Sequence, residues 1–444
     1  MTYLPIIGTL VGILALLFFI LRLKWPAFLS LLIASILAGL VGGMEPSAVL
    51  ESIQKGMGGT LGFVATIVGL GALFGAILEH SGGAQAIAQY LLRRFGVERA
   101  PLSMVLTGFI VAIPVFFDVA FIILIPVIYA VQQRTGKSLL LYAIPLLAGL
   151  AATHAFIPPT PGPIAVADIL GASLGWVILV GFLAGVPTVL VAGLWFGRYI
   201  AKRIPLAAPD LGVKVAAPTL PPVGPIFSII ALPIVLILLN TLVDAGLILE
   251  GYSAIQAIIA FVGHPFSALI IANLVAWYWL GIGRGFSAAT LLDVSTKSLA
   301  PAGVIILLTG AGGVFKQILI DTGAGKLIAE SMVAMGLPII VFAFLAAALV
   351  RIAQGSATVA MITGASLVAP LLINQSFSNG ELAALTIAIA AGASILSHVN
   401  DSGFWLVQQY LGMTEQQAFR SWTVMTTILA VVGFAVAWFL FVVL

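Results

Sequence analysis

Apolar residues run along this chain in long unbroken stretches and do not alternate with polar ones. Met1 to Leu23, Thr60 to Leu78 and Ser421 to Leu444 each approach the ~20 residues a helix needs to cross a hydrocarbon core. Continuous runs disfavour a transmembrane barrel, whose strands alternate. The first half adds Ala27 to Gly43, Leu139 to Ile157 and Trp176 to Phe196. The second half adds Ile226 to Leu247, Pro265 to Gly283, Ala300 to Ile320 and Leu382 to Ser397, before the last run, whose span begins at Trp422. Two stretches behave differently. Pro101 to Val131 has basic residues beyond both ends (Arg99, and Arg134 with Lys137), so it should return to the side it left. Leu337 to Leu372 is apolar on both sides of a polar, Gly-containing centre. The pattern predicts an all-α polytopic membrane protein, with about ten full spans plus two re-entrant hairpins.

Composition agrees with lipid as the main solvent. Of 444 residues, 62% are hydrophobic and 7% charged, against roughly 25% charged in a soluble domain. The net charge of +3 comes from basic residues scattered at span ends, where orientation signals lie, and points to no nucleic-acid partner. Cysteine is absent, which removes disulfide and thiolate chemistry. The first span lacks a basic leader and is followed by further spans, so it reads as a retained helix.

A polar, Pro-rich stretch divides the chain near its middle, giving a first half (1–197), a linker (198–223) and a second half (224–444). The linker carries Arg198, Lys202, Arg203, Asp210, Lys214 and Pro221-Pro222. The halves resemble each other. Gly71, Phe74, Ile77, Leu78, Gly82, Ile87 and Ala88 recur at the spacing of Gly312, Phe315, Ile318, Leu319, Gly323, Ile328 and Ala329. Asp118-Val119-Ala120 aligns with Thr358-Val359-Ala360, and Ala148-Gly149 with Ala391-Gly392. Thr153-His154 matches Ser397-His398 after a one-residue shift. Arg22 and Lys24, Arg93 and Arg94, and the Arg198 cluster place the cytoplasm at alternate span ends and make the linker cytoplasmic, although Lys55 falls on the outer side. Five crossings in the first half would invert the second, and inverted-topology repeats mark transporters with a midplane site.

Candidate chemistry lies where the apolar runs break. The run from Thr153 to Pro163 carries Pro158, Pro159, Pro161 and Pro163, which cannot continue a helix. Broken backbone at membrane depth is tolerated only when buried in protein or lining a cavity. His154 and Thr160 flank this break, and Gly162 follows; the alternative is a plain outer turn. Its counterpart, Ser397-His398-Val399-Asn400-Asp401-Ser402-Gly403, breaks through side chains that bond nearby backbone; a cytoplasmic helix cap is the alternative. Asp118 stands inside Phe116-Phe117-Asp118-Val119-Ala120-Phe121, and an intramembrane carboxylate is a functional candidate by default; it could also cap a hairpin tip. Gln354, Ser356 and Thr358 belong to the polar stretch that begins at Arg351. Arg351 could pair with a substrate carboxylate, with Asp118 or Asp401, or could be a hairpin-end charge. No Walker, HExxH or GxSxG motif is present. Neither an ATP-driven pump nor an enzyme is indicated, and no cofactor or metal is expected.

These segments resemble the gluconate permease family of bacterial proton symporters. The resemblance covers essentially the whole chain. It is most specific at Ile113 to Asp118, at Thr153 to Pro163, at Arg351 to Thr358 and at Ser397 to Trp405. It implies the ion transporter superfamily: a scaffold domain, an elevator-type transport domain with two hairpins, and a homodimer in the bacterial inner membrane. It implies gluconate as substrate, with fructuronate, idonate, glycerate or D-serine as alternatives. A channel and an intramembrane enzyme are the other classes to test. Sodium-coupled relatives in the superfamily bind their ion with Ser-Asn-Thr motifs, which the hairpin tips here lack. Asp118, Asp401 and His398 are therefore expected to serve proton coupling. His154, Thr160, Gly162, Gln354, Ser356, Thr358, Asn400 and Ser402 are expected to bind the substrate.

Overall fold

The computed structural model describes residues 3–209, 220–249, 253–324, 327, 337–373 and 375–444. Its elements are α1 (Leu4–Leu21), α2 (Ala27–Val41), α3 (Pro46–His80), α4 (Gly83–Phe95), α5 (Ala100–Val111), α6 (Phe117–Thr135), α7 (Leu140–Phe156), α8 (Pro161–Leu170), α9 (Leu174–Val189) and α10 (Phe196–Arg203). There follow α11 (Val223–Asp244), α12 (Ser253–Gly263), α13 (Pro265–Ala276), α14 (Ala288–Asp321), α15 (Ile339–Gln354), α16 (Ala357–Val368), α17 (Asn379–Gly392), α18 (Ser402–Leu411), α19 (Glu415–Ala418) and α20 (Val424–Val443). No strand occurs among the described residues. Eight helical stretches there are long and apolar enough to cross a membrane, and shorter apolar helices accompany them. Large apolar side chains face outward along these helices, as Leu14 and Leu274 do. Lipid is the solvent such a surface fits.

Several elements depart from the hydropathy reading. α3 begins at Pro46, well before Thr60, and so takes Glu51 and Lys55 out of a loop and into a helix. α14 likewise begins at Ala288, twelve residues before the apolar run. Polar early turns hid both starts, and Pro46 and the Ser287 cap, which accepts from the Thr290 amide, supply the start signals. α4 is amphipathic and was not anticipated; it buries Ala84, Ile87 and Leu91. α6 is long and apolar enough to count as a span in its own right, although hydropathy made it half of a hairpin. The middle of the linker (210–219), and Ile328 and Ala329 of the repeat comparison, lie outside the described residues.

α3 and α14 form the most extensive helix pair. A side chain on Gly56 would meet the Gly313 carbonyl at 2.7 Å, so the two backbones touch through glycine. Ser52 Oγ donates to Asp321 Oδ2 at 2.6 Å near one end. Both helices stop at a left-handed glycine, Gly82 (φ 78°) and Gly323 (φ 74°), a position that disfavours any residue with a Cβ. The aligned glycines therefore hold the same local backbone role. Beyond each, the chain runs through a helix pair (α5 and α6; α15 and α16), a broken helix (α7 and α8; α17 and α18) and a final long helix.

Candidate substrate site

Each hairpin turns within a few residues, and each second limb starts where its side chains can face a cavity. In the first hairpin the turn is Ala112–Phe116, and α6 starts at Phe117 with no side-chain cap. In the second, Gly355 (φ 94°) turns the chain, and Ser356 caps α16 by accepting from the Val359 amide. A Cβ on Gly355 would lie 2.2 Å from the Asn400 carbonyl oxygen, so this tip is pressed onto the break between α17 and α18. Asp401 caps α18, accepting from the Gly403 amide at 3.0 Å.

The hairpin tips and the second break enclose a cavity of about 520 Å³, within the usual range for a small-molecule site. Asp118, His154, Gln354, Ser356, Thr358, Asn400, Asp401 and Ser402 line it. The first turns of α6, α16 and α18 all open on it. Three helix N-termini thus bring free N–H groups and partial positive charge to one space, which suits an anion. The remaining wall is apolar, with Phe116, Phe117, Met361, Trp422 and, from α14, Pro301 and Ile305.

The charges divide unequally. Arg351 is buried and donates from Nη2 to Asp401 Oδ2 at 2.5 Å. Asp401 also accepts from Ser397 Oγ. Asp118 faces the same cavity as Asp401, and its carboxylate accepts no hydrogen bond from the described residues. His154 lines the cavity from the last turn of α7, and its Nδ1 is buried without a partner among the described residues. His398 is not on the cavity wall; its Nε2 donates to the Ile352 carbonyl at 2.9 Å. Asn400 Nδ2 donates to Ile352 O at 3.0 Å and to Ala353 O at 3.3 Å, so both residues cap the end of α15.

Thr160 and Gly162 lie apart from this group. Thr160 donates to the Ile157 carbonyl at 2.7 Å and borders a separate space of about 10 Å³ with Gly71, Pro114 and Pro159. Gly162 packs behind Met361, whose Sδ a Cβ there would meet at 2.6 Å. The prolines hold this backbone close-packed, and the one hydroxyl is satisfied within its own turn. Sequence reasoning also missed wall residues on other helices: Ser394, Trp422, Thr426, Ala151 and Pro301. Only Pro301, a proline inside a long apolar helix, carried a local signal.

Broken helices and paired hairpins around a polar cavity, in a multi-pass helical protein, define a membrane transporter. The chain belongs to the GntP family permeases, whose family profile matches residues 4–443. It is 42% identical over 439 residues to the low-affinity gluconate transporter of Escherichia coli (strain K12), covering 98% of this chain and 97% of that one. It is 43% identical over 433 residues to the gluconate permease of Pseudomonas aeruginosa, covering 96% and 95%. The Gnt-II system L-idonate transporter of Escherichia coli (strain K12) is 36% identical over 434 residues, covering 97% of both. The crystal structure of the Alcanivorax borkumensis YdaH transporter superposes with a TM-score of 0.63 at 16% identity, over 91% of this chain and 96% of that one. This last likeness concerns the fold alone.

Proposed function

We propose that this protein imports a sugar acid, gluconate first, across the bacterial inner membrane in symport with protons. The observation that carries the reading is the 520 Å³ cavity, where three helix N-termini meet a single carboxylate without a cationic partner. Arg351 and Asp401 cancel each other. With His154 neutral, an ionised Asp118 leaves the site with one net negative charge. An anionic sugar acid is repelled by that site and accepted once Asp118 holds a proton. Proton and substrate then favour each other's binding, a coupling that is reciprocal by linkage. A neutral loaded acid lets the anion cross with its charge compensated.

Ser356, Thr358, Asn400 and Ser402 bond the substrate hydroxyls in this reading, with Gln354 and His154 beside them. The first-turn amides of α6, α16 and α18 hold the carboxylate. Thr160 and Gly162 support the site from behind, and His398 supports the second hairpin. The two halves (1–197 and 224–444) act as inverted repeats joined by a cytoplasmic linker (198–223). The successive long, paired and broken helices of each half support this. α3 and α14 belong to the scaffold, and the hairpins and broken helices to a transport domain that moves as an elevator, two copies of the chain forming a homodimer. Gluconate is favoured over idonate because the relatives at 42% and 43% identity are named for gluconate, whereas the L-idonate transporter is 36% identical.

Purified protein in liposomes tests this. A pH gradient, acid outside, should drive accumulation of labelled gluconate equally with and without sodium. Unlabelled gluconate should compete better than L-idonate, fructuronate, glycerate or D-serine. Accumulation driven only by sodium overturns the coupling, and preferential competition by another acid reassigns the substrate. Recovery of an altered compound inside would point to an enzyme, and equilibration without accumulation to a channel.

A further inference from the structure

A chain of hydrogen bonds runs behind the second half of the cavity and ties the Arg351–Asp401 pair to Ser397, Trp422, Thr423 and Thr426. Trp422 Nε1 donates to Ser397 Oγ at 2.6 Å. Ser397 Oγ donates to Asp401 Oδ2, and Arg351 Nη2 donates to the same oxygen. Asp401 Oδ1 accepts from the Gly403 amide, in the first turn of α18. Thr423 Oγ1 donates to the Ser397 carbonyl at 2.5 Å, and Thr426 Oγ1 accepts from the Ser397 amide at 3.2 Å. The chain joins the last turn of α15, the helix break and the turn that leads into α20 through groups that are mostly buried.

From this geometry we infer that Trp422, Ser397, Asp401 and Arg351 form a positioning chain, which holds the N-termini of α16 and α18 together as one anion cradle and commits Asp401 to Arg351 as a positioning group. The inference deepens the transport reading and rests on it. Asp401 takes three donors on its two oxygens, one of them the Arg351 guanidinium, so Asp401→Asn leaves that cation without its counter-charge. Arg351 is buried, and among the described residues its Nε and Nη1 have no partner and Asp401 is its sole counterion. A buried cation that loses its partner is strongly unfavourable. The charged and titratable groups around Asp401 are Arg351 from α15, Asp118 from the first hairpin, His398 from the break and His154 from α7; the facing residues Trp422 and Thr423, just before α20, and Thr426 of α20 carry no charge. Of the two carboxylates, Asp118 is left to take the coupling proton. Asp401 acts through the helix ends it holds.

The test compares Ser397→Ala, Trp422→Phe, Asp401→Asn, Arg351→Gln and the Asp401→Asn/Arg351→Gln pair with wild type, using labelled gluconate in liposomes across external pH. Ser397→Ala and Trp422→Phe should each raise KM about three- to tenfold, the scale of one lost hydrogen bond, while the pH profile keeps its shape. A merely structural lesion would lower Vmax through loss of active protein and leave KM alone. The double variant should transport better than either single variant of the ion pair, because it removes both buried charges. An unchanged KM in both mild variants, or a flattened pH profile with exchange intact in Asp401→Asn, overturns the inference. If Asp401→Asn fails to fold, the two mild variants decide. If wild type carries no gluconate, the function reading fails separately. Hydrogen exchange on the detergent-purified protein then decides: amides 356–359 and 402–404 should exchange faster in both mild variants, and unchanged rates would overturn the chain.

Discussion

The two helix breaks occupy the same place in the order of elements and are made by opposite means. Between α7 and α8, proline forbids the helix; the N-terminus of α8 has no side-chain cap, and its neighbouring space is about 10 Å³. Between α17 and α18, polar side chains replace the helix with bonds of their own, and the space beside them is about 520 Å³. The half-helices are also anchored differently. α18 is held at its start by Asp401, whereas α8 is held at its end, where Lys316 from α14 donates to the Ile169 carbonyl at 2.6 Å beside Asp168. Proline makes a break that is rigid and mute. Asn, Asp and Ser make one that can also recognise a ligand. The first half thus contributes a carboxylate and a histidine to an otherwise apolar lip, and the second contributes most of the polar contacts.

The largest effect should come from the first half's carboxylate. Asp118→Asn keeps the shape of the tip but cannot exchange a proton. Gradient-driven uptake should fall by about 100-fold or more, the scale of removing a positioned proton-transfer group, while exchange of labelled for unlabelled gluconate survives. Its dependence on external pH should flatten. Uptake with the wild-type pH profile in Asp118→Asn would move the proton to the second half and reverse the division drawn above.

Next in size is the anchor of α8. Lys316→Met removes a charged donor from the Ile169 carbonyl and leaves Asp168 without its nearby cation. Bonds to charged groups contribute about 1.5–3 kcal/mol, so the melting temperature in detergent should drop by several degrees. Unchanged melting would mean that the Pro-rich break holds α8 without help from its far end.

Much of this division was legible in the chain. Pro158 to Pro163 announced a break, and Asp401 followed by Ser402 and Gly403 read as a cap because short polar side chains compete for backbone N–H groups. Asp118 stood out because nothing else around it is polar. The size of the cavity beside each break was not legible, since it depends on which distant helix lies there: Pro301 and Ile305 of α14 and Trp422 beyond α18 close one space, and Gly71 of α3 fills the other. Helix starts were misjudged for a related reason. Ser52 and Asp321 look like loop residues by hydropathy, yet each satisfies the other between α3 and α14. Thr160 shows the limit most sharply: its hydroxyl was read as a ligand contact, and the structure turns it back on its own turn.

Asn400 probes the second break directly. Its amide donates to two carbonyls at the end of α15 and also lines the cavity. Asn400→Ala leaves Ile352 O without one of its two donors and removes a polar cavity contact. Binding should weaken by about 1–2 kcal/mol, read as roughly a tenfold higher KM. A change in Vmax alone would mean that Asn400 only supports the hairpin.

The smallest effect should come from Thr160, and it makes the comparison sharpest. Thr160→Val keeps the volume and removes a hydroxyl whose partner, the Ile157 carbonyl, already accepts the Thr160 amide at 3.4 Å. The lost bond is worth about 0.5–1.5 kcal/mol of stability, a shift of a few degrees at most in melting. Because the hydroxyl borders the small space and not the large one, KM for gluconate should stay within about twofold, under the ~1 kcal/mol scale of a lost contact. A rise in KM equal to that of Asn400→Ala would place the substrate against the Pro-rich break in the working cycle. The contrast between the two breaks would then belong to a single conformation of the transporter and not to its chemistry.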